Sequence, residues 1–221
     1  MKKCSLLIIL SVLVFLHPAT ATWKHRKLKI VTPYGAMIVL LSDETPQYRD
    51  NIIRLVKARF YNGLLFHRVI RHFMIQGGDP DSRHAKPGML LGNGGVGYTL
   101  PAAFRPDLFH CKGALAAARD DNPLKASSGC QFYIVEGRPY TDQQLDQLEK
   151  SMHRKIPAAQ RMVYKTLGGT PWLDQNYTVF GQVIRGMNVI DRIAAVATDK
   201  SDRPIKDIPM KIRLIHKFLF F

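Results

Sequence analysis

The chain has 221 residues, with 32 Lys and Arg against 17 Asp and Glu, a net charge of +15, and 46% hydrophobic residues. That composition excludes a disordered, collagenous or coiled-coil chain and fits one globular domain with a sizeable apolar core. Three cysteines, Cys4, Cys111 and Cys130, are too few for a disulfide scaffold, and no CxxC or HExxH spacing is present, so a metal or other cofactor is not expected.

Lys2 and Lys3 precede an apolar run from Leu6 to Leu16, followed by Pro18-Ala19-Thr20-Ala21. A short basic start, an apolar stretch of about eleven residues and small residues at the cleavage position define a secretory signal peptide over 1–21. The run is too short for a spanning helix, which needs about 20 residues, so no stable membrane span is expected. Cleavage after Ala21 leaves residues 22–221, still strongly basic, in a periplasmic or other extracytoplasmic compartment. Cys111 and Cys130 could pair there, but separate buried thiols are favoured.

The mature chain opens with apolar, β-branched runs at 28–32 and 36–41 around Pro33-Tyr34-Gly35, the pattern of a β-hairpin. From Pro46, with Thr45 as N-cap, Ile52, Ile53, Leu55, Val56 and Phe60 recur at helical spacing, and this helix ends before Gly63. Short strands are expected at 66–70, 73–76, 113–118, 132–135, 179–184 and 210–215, the mark of a β-barrel or sandwich. Residues 141–167 are helical instead. They open on a Thr141/Gln144 capping box, carry Leu145, Leu148, Met152 and Ile156 on one face, restart at Pro157 and close on Gly168-Gly169. A last helix covers 187–195. No repeat or linker divides residues 22–221.

Several chemistries can be set aside. Gly92-Asn93-Gly94-Gly95-Val96-Gly97 matches GxGxxG, but Pro101 and Pro106 follow where a dinucleotide site requires a helix, so it reads as a mobile glycine loop. Ser127-Ser128 lacks a nucleophile-elbow context. The histidines show no ligand spacing and read as surface or packing residues. Basic residues are dispersed without a nucleic-acid module, so the charge reads as a solvated face attracted to an anionic envelope surface. The apolar run 212–221, with Phe218, Phe220 and Phe221, either closes the sheet or touches a membrane or partner.

Residues 66–80, Phe-His-Arg-Val-Ile-Arg-His-Phe-Met-Ile-Gln-Gly-Gly-Asp-Pro, remain. In them Arg68 shares a strand face with Phe66 and Ile70, a guanidinium beside apolar surface. This segment resembles the signature of the cyclophilin family of peptidyl-prolyl cis-trans isomerases. Residues 128–134 resemble the family's second block, and Trp172-Leu173-Asp174 with 179–183 its third. The resemblance spans about residues 27–217. It implies a mainly β fold, an eight-stranded antiparallel barrel capped by two helices, with 141–169 as a helical insertion.

It also implies site roles. Arg68 matches the catalytic arginine. Gln76 and Gln131 match polar groups holding the arginine and the substrate backbone. Phe73, Met74, Tyr133 and Leu173 match the walls of a proline pocket. Ala118 and Arg119 match the strand that pairs with the peptide, Arg119 chiefly through its backbone. Trp172 matches a rim residue, and Tyr177 stands where the most studied members have His. Tyr133 replaces a Phe, so its hydroxyl must find a partner. The implied partners are proline-containing polypeptides, with cyclic-peptide inhibitors as further ligands; separately, no nucleic-acid partner and a monomeric state are expected. A proline-binding chaperone without catalysis, or an envelope interaction module, would use the same blocks.

Overall fold

The computed structural model describes residues 27–215. Residues 1–21, expected as a signal peptide, and Phe218, Phe220 and Phe221 lie outside them. In chain order the elements are β1 (Lys27–Thr32), β2 (Gly35–Leu41), α1 (Pro46–Lys57), β3 (Phe66–Ile70), β4 (Met74–Gly77), β5 (Thr99–Leu100), β6 (Ala114–Ala117), β7 (Ser127–Ser128), β8 (Phe132–Val135), α2 (Asp142–Met152), α3 (Ala158–Thr166), β9 (Val179–Arg185), α4 (Met187–Ala194) and β10 (Lys211–Leu214).

Eight strands form one antiparallel sheet in the order β10-β1-β2-β9-β6-β8-β4-β3. It curls back on itself. A bridge between Leu65 and Pro209, with Phe66 N–H donating to the Ile208 carbonyl (2.9 Å) and Met210 N–H to that of Leu64 (2.8 Å), joins the segments beside β3 and β10. Strand alternation sends Leu28, Ile30, Met37, Val39, Val69, Ile75, Leu115, Phe132, Ile134, Val183 and Ile212 to the interior. Each such side chain, moved from water to the core, contributes about 1.5–3 kcal/mol. The two-residue strands β5 and β7 pair separately, a sheet too short to show as alternation.

The ends of the core are covered by α1, through Tyr48, Ile52, Leu55 and Val56, and by α4, through Val189, Ile190, Ile193 and Ala194. Pro46 opens α1 at a position where a missing N–H costs nothing. Thr45 caps it through the backbone, its carbonyl accepting from Tyr48 and Arg49 N–H, while its hydroxyl makes no capping bond.

The insertion is a pair of helices. Thr141 and Gln144 form the capping box, but α2 stops at Met152 because His153 turns left-handed (φ 50°), so Ile156 packs from the connecting loop. Gly168, at φ 86°, donates to the Val163 carbonyl as the residue after the C-cap. Tyr140, Leu145, Ile156 and Tyr164 form the insertion's own core against Phe109. Cys111 and Cys130 are both free thiols.

Candidate active site

The site grows out of the sheet's register. Arg68 on β3 stands opposite Gln76 on β4, Gln76 opposite Tyr133 on β8, and Tyr133 opposite Ala116 on β6. Directly opposed residues share a face, so this row lies on the barrel's outer surface, while Ile75, Ile134 and Leu115 point inward. Met74, Ala114, Ala116, Ala118, Val135 and Val179 fill the same outer face, and Leu173, Phe73 and Tyr177 close over them. The result is a cavity of about 270 Å³ lined by Arg68, Phe73, Met74, Gln76, Tyr133, Leu173 and Tyr177 together with Arg119.

A relay of amides orients the guanidinium. Gln131 Nε2 donates to the carbonyls of Gly92 (2.7 Å) and Gly94 (2.8 Å), groups that only accept, and this settles which end of the amide is nitrogen. Its Oε1 then accepts from Gln76 Nε2 (3.1 Å), which leaves Gln76 Oε1 facing Arg68 Nη1 at 3.5 Å, the outer limit of a hydrogen bond. Asp202 reaches Arg68 Nε at 3.4 Å with both side chains 42% exposed, a pair that steers more than it stabilises. Arg68 therefore keeps donors free toward the cavity.

This geometry redistributes the expected roles. Gln131 is fully committed to the loop and to Gln76, so it positions the relay and has no donor left for a substrate backbone. Ala118 is likewise spent, its N–H donating to the Gln131 carbonyl (3.0 Å) and its carbonyl accepting from Ser128 (2.8 Å). Arg119, two residues beyond β6, lines the cavity next to it. The Arg119 side chain is more than a bystander: its guanidinium lies over the Tyr177 ring at 4.7 Å and donates to the Asn176 carbonyl. Trp172 does not line the cavity but backs Phe73, ring centroids 5.9 Å apart.

The glycine loop is a tethered wall rather than a dangling segment. Gly92 N–H donates to Asp79, and a side chain at Gly94 would collide with the Asp79 and Asp81 carboxylates. With Tyr98, Asp120, Asn122 and Ser128 it bounds a second cavity of about 420 Å³ that shares Gln76, Ala118 and Arg119 with the first. The two form one groove.

Two site residues escaped the sequence. Tyr133 Oη lies 2.9 Å from His110 Nε2, and His110 Nδ1 lies 2.9 Å from Asp174 Oδ1. The carboxylate accepts only, so in the neutral imidazole Nδ1 carries the proton and Nε2 accepts from the Tyr133 hydroxyl. Asp174 also accepts from His110 backbone N–H (2.8 Å) and from Tyr164 Oη (2.6 Å). All four side chains are buried, and burial holds the Tyr133 and Tyr164 hydroxyls well above the usual phenol range, hence neutral. The insertion thereby reaches the pocket wall through Tyr164. Nothing in the spacing of residues 110, 133, 164 and 174 signals this cluster.

His67, at the bulge of β3, is buried with neither ring nitrogen in a well-formed hydrogen bond. Burial, with Arg68 and Arg203 opposing Asp79, lowers its pKa to about 4. Below its ordinary pKa of about 6.5 the unfolded chain takes up a proton that the folded chain refuses, so stability falls as pH drops from 6.5 to 4. The expected loss is about 3 kcal/mol. Urea unfolding of wild type and His67→Leu at pH 7 and pH 4 checks this: the variant should lose markedly less, and parallel losses would assign the acid sensitivity elsewhere.

A curled antiparallel sheet with a groove on its outer face, walled by Phe73, Met74, Tyr133, Leu173 and Tyr177 and carrying the Arg68 guanidinium, defines the class as a β-barrel protein with an external binding cleft. Residues 27–214 match the family model described as cyclophilin type peptidyl-prolyl cis-trans isomerase/CLD. The chain is 37% identical over 172 residues to a Staphylococcus saprophyticus protein named as a peptidyl-prolyl cis-trans isomerase, covering 76% of this chain and 80% of that one. It is 36% identical over 188 residues to a Streptococcus pyogenes protein named as a bifunctional phosphatase and peptidyl-prolyl cis-trans isomerase, covering 82% of this chain and 37% of that one. A crystal structure of a Cryptosporidium parvum cyclophilin shares the fold, with a TM-score of 0.66 at 23% identity, covering 88% of this chain and 99% of its own. The protein belongs to the cyclophilin-type peptidyl-prolyl cis-trans isomerase family.

Proposed function

We infer that this isomerase works on proline-containing segments of exported polypeptides, with Arg68 as the donor to the reacting nitrogen. An ordinary peptide bond resists rotation with a barrier of about 18–20 kcal/mol because its nitrogen lone pair is delocalised. X-Pro bonds isomerise unaided over tens to hundreds of seconds. In the twisted transition state the lone pair returns to nitrogen, and a guanidinium hydrogen bond to it is stronger there than in the ground state. The apolar walls hold the ring and exclude water, which magnifies the effect. The observation that carries this reading is the Gln131–Gln76–Arg68 relay at the mouth of the 270 Å³ cavity. A related Cryptosporidium parvum structure was determined in the presence of the dipeptide Ala-Pro, the ligand class assigned here.

The Arg119 edge would pair with the peptide backbone while the second cavity takes a neighbouring residue. Residues 1–21 supply the address, and the envelope is the compartment in which slow prolyl steps would be relieved. The test has two arms. The chain from Thr22 should accelerate cis-trans exchange of an X-Pro peptide over the uncatalysed control, seen as exchange broadening in NMR. Binding without exchange would leave a proline-capturing chaperone. N-terminal sequencing of the protein from its own cells should begin at Thr22 in the extracytoplasmic fraction; an intact Met1 in the cytoplasm would overturn the envelope role.

A further inference from the structure

The isomerase chemistry leaves the other side of the barrel unused. β1, β2, β9 and β10 carry Lys27, Lys29, Arg185, Lys211 and Arg213 and no acidic residue, and all five cations are exposed. Since Leu28, Ile30, Met37, Val39, Val183 and Ile212 point into the core, the alternate positions face outward. Lys29 stands between Arg213 and Ile38, and Ile38 opposite Arg185, while Val31 faces Lys211. Like charges directly opposite on neighbouring strands, as at Lys29 and Arg213, repel and destabilise the sheet. On other parts of the protein Arg49, Arg105, Lys112, Arg161, Lys165 and Arg203 each meet a carboxylate, although exposed cations such as Lys57, Arg71 and Lys206 do not, among the described residues. Among the described residues none of the five does. The face is electrostatically complementary to an extended anionic surface.

Its apolar content narrows the choice of surface. Val31 (36% exposed), Leu40 (39%) and Ile184 (43%) stand among the cations. Aliphatic groups gain nothing from a sugar-phosphate or sulfated chain, but they gain at the boundary between lipid headgroups and acyl chains. The outward positions offer no aromatic ring on which a base could stack. Both chain flanks attach here as well. Ile215 N–H donates to the Lys27 carbonyl (2.9 Å), which sets the first and last described residues side by side; in the sequence Thr22-Trp23-Lys24-His25-Arg26 precede the one and His216-Lys217-Phe218-Leu219-Phe220-Phe221 follow the other. Cations mixed with aromatic residues are the composition of membrane-interface segments.

We propose that the outer face of β10-β1-β2-β9 docks on an anionic phospholipid bilayer. In the closed strand order β1 and β2 lie four strands from β8 and β4, half-way round the barrel. The docked protein thus presents its proline groove away from the lipid, toward chains emerging beside it.

The barrel and its core lie within the described residues, so the chain from Thr22 retains the fold and is the material to use. In flotation it should bind vesicles of phosphatidylcholine with phosphatidylglycerol, ignore vesicles of phosphatidylcholine alone, and be released by high salt. The Lys29→Gln/Arg213→Gln double variant should bind about 25-fold more weakly, about fivefold per cation. Its turnover of a short X-Pro peptide should stay at the wild-type level, which reports an intact fold and separates this test from that of the isomerase reading. Deleting residues 218–221 should weaken binding further. The proposal is overturned by absence of binding to the anionic vesicles at low salt, by equal binding of wild type and double variant, or by tighter capture on duplex DNA or heparin than on the vesicles.

Discussion

Arg68→Ala should lower kcat/KM on an X-Pro peptide by about 10²–10³, the effect of removing one preorganised transition-state donor. The reaction makes and breaks no covalent bond, so the enzyme acts only by binding the twisted state better than the planar one. Two guanidinium groups line the cavity, but that of Arg119 is committed to the Asn176 and Asp120 carbonyls and the Tyr177 ring, which leaves Arg68 as the donor for the prolyl nitrogen. Arg68→Lys tests the geometry. A lysine keeps the charge but has no planar fork, so it cannot face Gln76 Oε1, reach Asp202 and address the prolyl nitrogen together. It should recover only a small part of the lost rate. Gln131→Leu removes the clamp on Gln76 while leaving Arg68 in place, and should cost about tenfold through misorientation alone. Stopped-flow or NMR exchange rates on all three, with circular dichroism to show folding, settle the order. An Arg68→Ala enzyme at wild-type turnover would remove the guanidinium from the mechanism.

The groove was partly legible because its residues are local in sequence. Arg68, Phe73, Met74 and Gln76 lie within nine positions, and a hairpin with fixed register puts alternate residues on the outer face. The barrel was legible for the same reason: Leu28 and Ile30, Met37, Val39 and Leu41 alternate as an inward row must. What stayed hidden depends on contacts between distant residues. His110 and Asp174 are 64 positions apart and meet only after the barrel and insertion have folded. Histidine spacing, tested for metal ligands, carries no information about such a pair. The commitments of Gln131 and Ala118 were also invisible, since their partners Gly92 and Gly94 belong to a loop and Ser128 to the two-residue strand β7, whose course no periodicity encodes. Arg119 escaped as a side chain because its role depends on Tyr177 arriving from a separate segment.

Asp174→Ala should be the most damaging substitution outside the groove. It strips the acceptor from His110 backbone N–H, His110 Nδ1–H and Tyr164 Oη at once, in a region closed to water. Each buried donor left unpaired costs about 1–3 kcal/mol, and removing one member of a buried charged network typically costs about 3–5 kcal/mol in total. In a protein of this size that corresponds to a fall of about 10 °C in Tm. Catalysis should fall as well, because an unheld His110 no longer fixes the Tyr133 hydroxyl and the ring forming the pocket wall. Asp174→Asn discriminates. Its carbonyl can still accept from His110, and its amide can donate to Tyr164 Oη, which accepts as readily as it donates, so the network survives with one bond reversed. Asp174→Asn should therefore lose far less stability than the alanine variant and keep most of the turnover. Tyr133→Phe removes the hydroxyl while preserving the apolar wall, and should retain turnover within a few fold at a cost of about 1–2 kcal/mol for the unpaired His110 nitrogen. Thermal melts with peptide kinetics on the three variants check the scheme. If Asp174→Asn falls as far as Asp174→Ala, the negative charge, paired with Arg154 at 3.9 Å, matters more than the hydrogen-bond pattern.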